Sequence, residues 1–348
     1  MRIEENFSLE NLNSFRLPVR TRWFVEYENE TELEKILNDE YFREQRILHT
    51  GRGTNLLFLN DYNGVVLHSA IKGIALVEET DDTVLLRVGA AEIWDDVVAY
   101  AVESEWGGIE NLSSIPGETG AAAVQNIGAY GVEIKDVIET VEAVNQLTFE
   151  KRFFSNEACR YDYRTSVFKD SLEDPYIITG VNLRLTKNPV FHLEYGNLKE
   201  ILGSYESLTL RKVRETVTDI RRKKLPDPNE LGNAGSFFMN PVVTQKKLEQ
   251  LMQDYPSIPY FPAKSGKVKL SAGWMIEQCG LKGKRFGTVG VYEHQALVIV
   301  NYGGATGNEI AQLAELICET VNRRFGMVLT PEVRYVGFKY GLSCGVLK

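Results

Sequence analysis

Ser236 stands in the segment GNAGSFFMNP (232–241), where a serine could act as a nucleophile or cap a turn. A hydrolase nucleophile typically occupies the pattern G-x-S-x-G, because its sharp turn needs small residues on both sides. Here Ala234 and Phe238 occupy the two glycine positions, so that pattern is absent. A serine nucleophile also needs a base, and none of the four histidines stands in a recognisable triad context. From this segment alone, a serine that caps a turn is the simpler interpretation.

Two glycine-rich segments could bind phosphate groups: TGRGTN (50–55) and PGETGAAAVQNIGAYG (116–131). Glycine adopts positive φ without strain, and successive backbone N–H groups can then form an anion-binding concavity. Neither segment is a Walker A motif. Neither is a full G-x-G-x-x-G fingerprint: in the first segment Leu56 takes the place of the third glycine, and the second segment has no G-x-G start. Each alone could be an ordinary turn. Two in one chain, with Asn55 and Asn126 as possible donors, favour a large phosphate-bearing ligand.

Hydrophobic periodicity predicts a strand-rich part up to about residue 210 and a more helical part after a boundary near 215. A charged helix is predicted over 211–225 and ends before two prolines. A long helix is predicted over 307–326, with Thr306 as its N-terminal cap. Further helical spacing occurs over 30–40 and 92–104. The predicted strands include NGVVLHSA, TVLLRVGA, IETVEAVN, LTFEKRFF and YIITGVNLRLT.

The composition is that of an ordinary soluble protein. The 348 residues predict about two domains, and the net charge of −9 argues against nucleic-acid binding but leaves an anionic small-molecule substrate possible. The opening segment MRIEENFSLENLNSF does not resemble a signal peptide. No apolar run approaches the ~18 residues that span a membrane. The four cysteines are scattered, which predicts neither zinc nor disulfides and fits a cytoplasmic location.

Eight segments occur together in the order and spacing of one known family. They are GRGTNLLF, IPGETGAAAVQNIGAYG, YDYRTSVFK, LEYGNL, RRKKLPDP, GNAGSFFMNP, SAGWMIEQCGLKG and LTPEVR. The chain resembles the UDP-N-acetylenolpyruvoylglucosamine reductase family, flavoenzymes that complete UDP-N-acetylmuramate for peptidoglycan. The resemblance runs from residue 11 to about residue 338. The segment LEYGNL indicates the longer of the family's two types, which has an extra loop with a tyrosine near the substrate.

The resemblance implies an α+β fold. A two-part FAD-binding domain of the vanillyl-alcohol-oxidase-like type is expected over 1–68 and 69–215. A smaller α+β substrate-binding domain is expected over 216–328, and the segment 329–348 is expected to return to the FAD domain. The family also implies a monomer with a UDP-sugar substrate and no nucleic-acid or membrane partner.

The implied reaction is reduction of an enolpyruvyl ether. NADPH reduces FAD and leaves, and flavin N5 then delivers hydride to the alkene carbon remote from the carboxylate. The resemblance makes Ser236 the donor of the proton that the other carbon needs. Arg164 would grip the substrate carboxylate and stabilise the enolate, and Glu332, if protonated, would donate a hydrogen bond to it. Without the resemblance, Arg164 would be interpreted as a surface salt bridge and Glu332 as a cap or strand-end charge.

The resemblance also assigns binding residues. Non-covalent FAD is implied, although His49 lies near the first glycine loop, where some relatives in the wider superfamily attach FAD covalently. Arg222 and Lys223 are interpreted as a solvated helix face. The residues assigned to the cofactor are Gly51, Arg52, Gly53, Thr54, Asn55, Gly117, Thr119, Gly120, Asn126, Gly128, Ala129, Tyr130, Gly131 and Arg221. The residues assigned to the substrate are Tyr195, Lys224, Asn240, Lys282 and Gln295.

Two other functions remain open from the sequence. An FAD-dependent oxidase of a sugar or alcohol would share the glycine loops, but it would lack the segments of the C-terminal part. A non-catalytic nucleotide-binding module would keep the fold, but it would not need Ser236, Arg164 and Glu332 together. Release of peroxide from an alcohol substrate would indicate the first, and failure to take up FAD would indicate the second.

Overall fold

The computed structural model describes residues 1–170, 175–196, 198–203 and 207–337. Within these ranges the strands are β1 (Arg2–Ser8), β2 (Arg20–Tyr27), β3 (Ile47–His49), β4 (Leu56–Phe58), β5 (Tyr62–Ser69), β6 (Ile74–Glu79), β7 (Thr83–Gly89), β8 (Gly128–Ala129), β9 (Val132–Glu133), β10 (Ile138–Asn145), β11 (Lys151–Ser155), β12 (Tyr176–Thr186), β13 (Gly232–Ser236), β14 (Val242–Thr244), β15 (Tyr260–Pro262), β16 (Lys267–Leu270), β17 (Arg285–Phe286), β18 (Val289–Val291), β19 (Val298–Asn301) and β20 (Arg334–Val336).

The helices of the same ranges alternate with these strands. They are α1 (Glu30–Asn38), α2 (Glu40–Arg43), α3 (Trp94–Glu103), α4 (Thr119–Gln125), α5 (Val167–Asp170), α6 (Leu198–Leu202), α7 (Leu210–Lys224), α8 (Gln245–Asp254), α9 (Ala272–Gln278) and α10 (Gly307–Phe325). No helix in the described part of the chain is both long enough and apolar enough to span a membrane.

The chain forms two compact units. The first unit contains Met1–Phe7, Thr21–Arg52 and Asn63–Arg221. The second unit contains Ser8–Arg20, Gly53–Tyr62 and the described residues from 222 to 337. The first glycine loop is therefore divided between them. Of the segment 329–348 that the sequence assigns to the FAD domain, residues 338–348 lie outside the described ranges.

The first unit contains two principal sheets. One has the strand order β1-β2-β5-β3, and in it β3 runs parallel to β5. The other has the order β11-β10-β12-β7-β6 and is antiparallel throughout. Helix α3 packs on the antiparallel sheet, with the fully buried Trp94 and Val97 in one core cluster with Leu86 and Val181. Burial of such side chains, at about 25 cal/mol per Å² of apolar surface, stabilises this layer.

The second unit is built around α10. Its sheets have the orders β13-β19-β18-β17 and β14-β16-β15, and β4 pairs with β20 in parallel. Helix α10 packs on β18 and β19 and against α9. Its apolar positions recur at helical spacing, and Ile310, Ile317 and Val321 are fully buried. Thr306 caps α10 in a reciprocal arrangement with Glu309, which confirms the cap predicted from the sequence.

The second glycine segment differs from the loop that the sequence predicts. Residues Thr119–Gln125 form α4 inside it. Three consecutive alanines are strong helix formers, and the small residues allow close packing. A Cβ atom on Gly120 would lie 3.0 Å from the Ala90 Cβ atom. The segment is therefore a helix flanked by two glycine turns, and Gly120 permits its close approach to the chain at Ala90.

Replacing Gly307 with alanine should destabilise the second unit. A Cβ atom on Gly307 would clash with the carbonyl oxygen of Phe58 at the end of β4. Overpacking of this kind costs about 1–3 kcal/mol, and this cost should outweigh the higher helix propensity of alanine. Urea unfolding followed by circular dichroism should show a lower midpoint. The exposed neighbour Asn308 provides a matched control as Asn308→Ala; equal stability of both variants would contradict the close approach.

Candidate functional site

The two glycine segments meet within the first unit. A Cβ atom on Gly51 would lie 2.5 Å from the Glu118 Oε2 atom and 3.7 Å from the Ala121 Cβ atom. Gly51 therefore packs its backbone directly on the start of the second segment, and a side chain there would force the two apart. Arg52 beside it is exposed. This contact supports the prediction that both segments serve one ligand, because Gly51 lies against the Glu118 and Ala121 side chains of the second segment.

A tight hairpin forms the end of the second segment. Strands β8 and β9 pair with Gly128 opposite Glu133 and Ala129 opposite Val132. Tyr130 and Gly131 form the turn with φ of 48° and 84°. Two consecutive residues with positive φ are the signature of a type I′ hairpin turn. This turn explains the glycine at 131 and presents the Tyr130 side chain at the tip.

Arg164 is fixed against this hairpin. Its Nη2 atom donates to the Gly128 carbonyl at 2.6 Å, and its Nη1 atom donates to the Asn126 carbonyl at 3.3 Å. The Lys169 amine donates in turn to the Arg164 carbonyl at 2.8 Å. Arg164 itself has a φ of 59°, which is uncommon for a residue with a Cβ atom. Its guanidinium is therefore held on the backbone of the second glycine segment.

Two tyrosines and a second arginine surround the same hairpin. The rings of Tyr130 and Tyr195 meet edge to face with centroids 6.3 Å apart. Burial raises the pKa of both hydroxyls. The charge of Arg221 partly offsets the rise for Tyr130, and the charge of Arg164 partly offsets it for Tyr195. Burial also lowers the pKa of Arg221, as does the charge of Arg164, while Tyr130 and Asp95 oppose the shift. Four predicted site residues thus form one cluster, which we call the hairpin cluster: Tyr130, Arg164, Tyr195 and Arg221.

Several residues that hold the hairpin cluster were not predicted from the sequence. The buried amide of Asn111 donates to the carbonyls of Tyr130 at 2.9 Å and of His192 at 2.7 Å. It therefore connects the hairpin to the segment that precedes Tyr195. Arg221 Nε donates to the carbonyl of Ser114 at 3.3 Å. Sequence motifs identify residues that could contact a ligand, but they give no signal for side chains that only orient the backbone.

Asp95 orients the same region from α3. Its carboxylate accepts two hydrogen bonds from Arg214, at 2.7 and 3.0 Å, and one from the Ser114 N–H at 2.5 Å. Burial alone would raise the pKa of Asp95, but Arg214 and the Ser114 N–H outweigh burial and lower it. A two-pronged ion pair of this geometry restricts both side chains. Asp95 therefore fixes Ser114, whose carbonyl accepts from Arg221.

The variant Asp95→Asn should lose about 1 kcal/mol of unfolding free energy at neutral pH, because the pair is partly exposed to solvent. The folded pKa of Asp95 lies below its ordinary value of 3.8. The stabilisation is therefore fully present above the ordinary pKa of 3.8 and is lost as the pH falls from there through the lower pKa of the folded protein. Urea unfolding at about pH 7 and about pH 3.5 should show the difference shrinking in acid. The exposed neighbour gives the control Asp96→Asn, and a pH-independent difference would contradict this account.

In the second unit, a bulge presents Ser236. The pairing of β13 with β19 shifts register between Asn233 and Ser236. Gly235 in this bulge has a φ of 66°, and its N–H donates to the Asn233 side chain at 2.9 Å. Asn233 therefore caps the turn, and Ser236, which is half-buried, pairs opposite Val298. Bulges re-aim side chains and are common beside active sites.

Glu332 is joined to the strand that ends in Ser236. The N–H of Glu332 donates to the Phe237 carbonyl at 2.8 Å, and its own carbonyl accepts from the Asn55 side chain at 3.1 Å. The N–H of Arg334 also donates to the Asn55 carbonyl at 3.0 Å. Within the second unit, Ser236, Glu332 and Asn55 are thus brought into one neighbourhood by backbone contacts.

The rest of the first glycine loop also lies in the second unit. Gly53 has a φ of 64°, and a Cβ atom there would clash with the Leu12 carbonyl oxygen. The Gly53 carbonyl accepts from the Ser14 N–H at 3.2 Å. Thr54, which follows, is half-buried. Glycine at 53 is therefore required both by the turn and by the close approach of residue 12.

The predicted substrate residues of the second unit lie in three places. The Asn240 side chain accepts from the Ala272 N–H at 3.0 Å, at the start of α9. A Cβ atom on Gly273 would lie 3.2 Å from the Gln295 Oε1 atom, so Asn240 and Gln295 both approach the first turn of α9. Lys282 forms an ion pair with Glu277 at 3.0 Å. Lys224 ends α7 and is exposed.

Several predicted cofactor residues of the second segment face the protein interior. Asn126 is fully buried, and its amide donates to the Asp162 carbonyl at 2.9 Å while its oxygen accepts from the Lys135 N–H at 3.3 Å. The Thr119 hydroxyl donates to the Glu92 carbonyl at 3.1 Å. Gly117 has a φ of 123° and accepts from the Trp94 N–H at 3.0 Å. The side chains of Asn126 and Thr119 and the carbonyl of Gly117 are used to shape the segment. Contact with a ligand would therefore come chiefly from the backbone of the segment.

These features fit a dinucleotide cofactor. Gly51 packs bare backbone on the second segment, and Gly117 and Gly131 adopt conformations that L side chains rarely adopt. Segments of this kind expose backbone N–H groups to phosphate oxygens. The half-buried Arg221 adds a positive charge beside the hairpin. The residues present therefore suit the diphosphate and ring system of a flavin dinucleotide.

Comparison with known proteins identifies the class. Residues 21–147 match the profile of an FAD binding domain, and this range includes both glycine segments. The fold is similar to 6-hydroxy-D-nicotine oxidase from Arthrobacter nicotinovorans, with a TM-score of 0.51 and 11% identity over 94% of this chain and 86% of that one. The protein is thus an FAD-dependent oxidoreductase with an α+β fold, as the sequence predicts.

The family follows from the rest of the chain. Residues 227–336 match the C-terminal domain of UDP-N-acetylenolpyruvoylglucosamine reductase. The reductase of that name from Porphyromonas gingivalis strain ATCC 33277 is 50% identical over 337 residues, covering 97% of this chain and all of the relative. The crystal structure of the reductase from Thermus caldophilus has the same fold, with a TM-score of 0.69 and 22% identity over 96% of this chain and 99% of that one. The chain belongs to the UDP-N-acetylenolpyruvoylglucosamine reductase family.

Proposed function

We propose that this chain reduces the enolpyruvyl group of UDP-N-acetylglucosamine enolpyruvate to give UDP-N-acetylmuramate, a peptidoglycan precursor, with NADPH as the source of electrons. The observation that carries the proposal is the bulge of β13, which presents Ser236 beside the segment of Glu332. Membership of the reductase family and the matched FAD binding domain support the same conclusion. The substrate-binding domain is proposed to span 216–328; the matched C-terminal domain covers residues 227–336.

The reaction adds a hydride and a proton across a carbon–carbon double bond. FAD, when bound, would supply the hydride chemistry that connects NADPH to the alkene carbon remote from the substrate carboxylate. The electron pair of the double bond then moves onto the carbon next to the carboxylate. The chain must stabilise that enolate-like charge and deliver one proton to it.

Ser236 is proposed to be the proton donor. A hydroxyl is a weak acid, but it suffices against a carbanion when its position is fixed and water is excluded. The bulge at Gly235 fixes the backbone, and the next two residues, Phe237 and Phe238, are almost completely buried. No histidine is required for this role, which agrees with the absence of a triad context in the sequence.

Arg164 is proposed to bind the substrate carboxylate and to stabilise the enolate. Its guanidinium already donates to the Gly128 and Asn126 carbonyls, so its orientation is preorganised before substrate arrives. In many enzymes, preorganised donors aimed at developing charge contribute more to the rate enhancement than any other effect. Arg221 adds a second positive charge to the hairpin cluster, and we assign it to the flavin side.

Glu332, if its carboxyl group is protonated, is proposed to donate a hydrogen bond to the enolate. The side chain is half-buried, and its backbone is fixed by the Phe237 and Asn55 contacts. Its place next to the strand of Ser236 in the second unit supports a role in the same reaction. A neutral carboxylic acid can act as an oxyanion donor when its site disfavours charge.

The remaining assignments concern substrate affinity. Tyr195 is partly exposed at 39% and packs its ring on Tyr130, so it could close over the sugar nucleotide. Lys224 and Lys282 are proposed to contact phosphate groups. For Lys282 this requires that phosphate compete with Glu277, its present partner. Asn240 and Gln295 are proposed to contact the sugar near the first turn of α9.

The cofactor is proposed to be held non-covalently. His49 is the histidine nearest the first glycine loop, but its Nε2 atom is 2.9 Å from the Tyr27 hydroxyl. Burial, together with His68, lowers the pKa of His49 to about 3. The ring is thus engaged inside the first unit. Precipitation of the holoenzyme with acid should release all flavin into the supernatant, and flavin that stays with the pellet would contradict this assignment.

An anaerobic absorbance experiment tests the proposed function. The purified holoenzyme should show an oxidised flavin spectrum that bleaches on addition of NADPH and returns on addition of the enolpyruvyl sugar nucleotide. A spectrum that NADPH leaves unchanged, with peroxide formed from an alcohol substrate in air, would indicate an oxidase instead. A protein that takes up no FAD would contradict any flavoenzyme role.

A further inference from the structure

A buried ion pair lies directly under the first glycine loop. The His68 Nδ1 atom is 3.1 Å from the Glu26 Oε2 atom, and its Nε2 atom is 3.4 Å from the Glu118 Oε1 atom. The other carboxylate oxygen of Glu118 faces Gly51, since a Cβ atom there would lie 2.5 Å away. Glu118 is only 5% exposed. One carboxylate thus contacts both His68 and the backbone proposed to receive the cofactor diphosphate.

A carboxylate is an unfavourable neighbour for an anion. A segment that binds diphosphate through backbone N–H groups gains from positive potential, and a buried, unpaired carboxylate is costly in itself and would repel the ligand. The compensating charge can come from His68. Its ring lies between two acids on different parts of the first unit, Glu26 on β2 and Glu118 before α4.

The other polar groups packed here do not offer a competing charge. The Tyr27 hydroxyl is bound to the His49 ring; burial raises the pKa of Tyr27 and lowers the pKa of His49, so both stay neutral at physiological pH. Burial alone would lower the pKa of His68, but the carboxylates of Glu118 and Glu26 outweigh it and raise that pKa above its ordinary value of 6.5. His68 is therefore the group here whose pKa the neighbouring carboxylates shift upward.

We propose that His68 and Glu118 are positioning residues for the cofactor diphosphate, in which protonated His68 cancels the charge of Glu118 beneath Gly51. This proposal rests on the proposed role of the glycine segments in binding FAD. Because the diphosphate favours the protonated ring, FAD affinity should be greatest below the pKa of His68 in the free protein. The affinity for FAD should fall as the pH rises from the pKa of His68 in the free protein to the higher pKa of His68 in the FAD complex.

The dissociation constant of FAD for the apoprotein, measured by flavin fluorescence from about pH 6 to about pH 9, tests this coupling. A difference of one unit in the pKa of His68 between free and bound protein corresponds to about tenfold in affinity. We expect a rise in the Kd of about tenfold across the range for the wild type. Glu118→Gln should bind more tightly than the wild type at the upper end of the pH range, because the charge to be cancelled is gone.

Two further variants complete a double-mutant cycle. His68→Gln should bind FAD about tenfold more weakly at low pH, since Glu118 is left unpaired. The double variant His68→Gln/Glu118→Gln should recover the affinity, which a simple loss of folding would not do. His294→Gln is the matched control, because His294 lies in the second unit with its side chain 57% exposed; its pH profile should equal that of the wild type.

A measurement without flavin separates this proposal from the proposed function. NMR titration of the His68 ring in the apoprotein should give a pKa above 6.5 that drops in Glu118→Gln. The proposal would be overturned if the wild type bound FAD tightly with a pH-independent Kd and His68→Gln bound it with the same Kd. The flavoenzyme assignment would then remain intact. Normal titration of His68 with no FAD binding at any pH would instead refute the proposed function, and this proposal with it.

Discussion

Replacing Ser236 with alanine should slow the reaction of the reduced enzyme with the enolpyruvyl sugar nucleotide by about 10²–10⁴-fold, while bleaching of the flavin by NADPH keeps its wild-type rate. The two half-reactions differ because only the second one needs a proton at carbon. The bulge at Gly235 and the buried Phe237 and Phe238 fix the serine backbone. Loss of one oxygen atom should therefore remove the donor without moving the strand.

Anaerobic stopped-flow absorbance measures both half-reactions on the same protein. Ser236→Cys should recover part of the lost rate, because a thiol can also donate a proton. Ser207→Ala is the matched control, since Ser207 is exposed before α7, and it should leave both half-reactions unchanged. Equal loss in both half-reactions would indicate a damaged fold, and wild-type rates in both would refute the proton-donor role of Ser236.

The parts of the fold with strong periodicity were predictable from the sequence. Helix α10 and its Thr306 cap follow from apolar spacing and a capping box. Strands β10 and β12 follow from their runs of β-branched residues. Helix α4 was not predicted, because the glycines on both sides of its alanines indicated a loop. Its packing on residue 90 depends on contacts that periodicity cannot show.

The candidate site was predictable as a set of residues but not as an arrangement. Small residues identified the glycine segments as binding candidates and the family resemblance identified Arg164 and Tyr195, and the structure brings Arg164 and Tyr195 to the same hairpin. The bulge before Ser236 could not be predicted, because it arises from the pairing of β13 with β19. The supports of the site were missed for the same reason. Asp95 and Asn111 act through backbone carbonyls and N–H groups remote in sequence.

Replacing Arg164 with glutamine should be the second most damaging change to the reaction. The guanidinium is proposed to pair with the substrate carboxylate in the ground state and with the enolate as charge develops. Removing a preorganised donor to developing charge typically costs about 10²–10³ in kcat. We therefore expect a lower kcat together with a higher KM for the sugar nucleotide, because both binding and the enolate lose a charge partner.

Arg164 also holds the hairpin, and the experiment must distinguish that role from catalysis. Its hydrogen bonds to the Gly128 and Asn126 carbonyls would be lost, so some loss of thermal stability is expected in any variant. Arg164→Lys keeps the charge but loses the two-pronged fork. Its oxidative half-reaction should therefore lie between those of the wild type and Arg164→Gln. A purely structural role predicts instead that both variants lose rate in proportion to their loss of stability.

Arg160→Gln is the matched control for this comparison. Arg160 is exposed, lies in the same segment and also has a positive φ, of 49°. Its removal should change neither half-reaction, because a surface charge contributes little. Single-turnover reoxidation of the reduced flavin, measured at increasing sugar nucleotide concentration, separates the maximal rate from the apparent affinity for each variant. A wild-type maximal rate in Arg164→Gln would show that the enolate is stabilised without this guanidinium, and the charge would then have to be met by Glu332 or another donor.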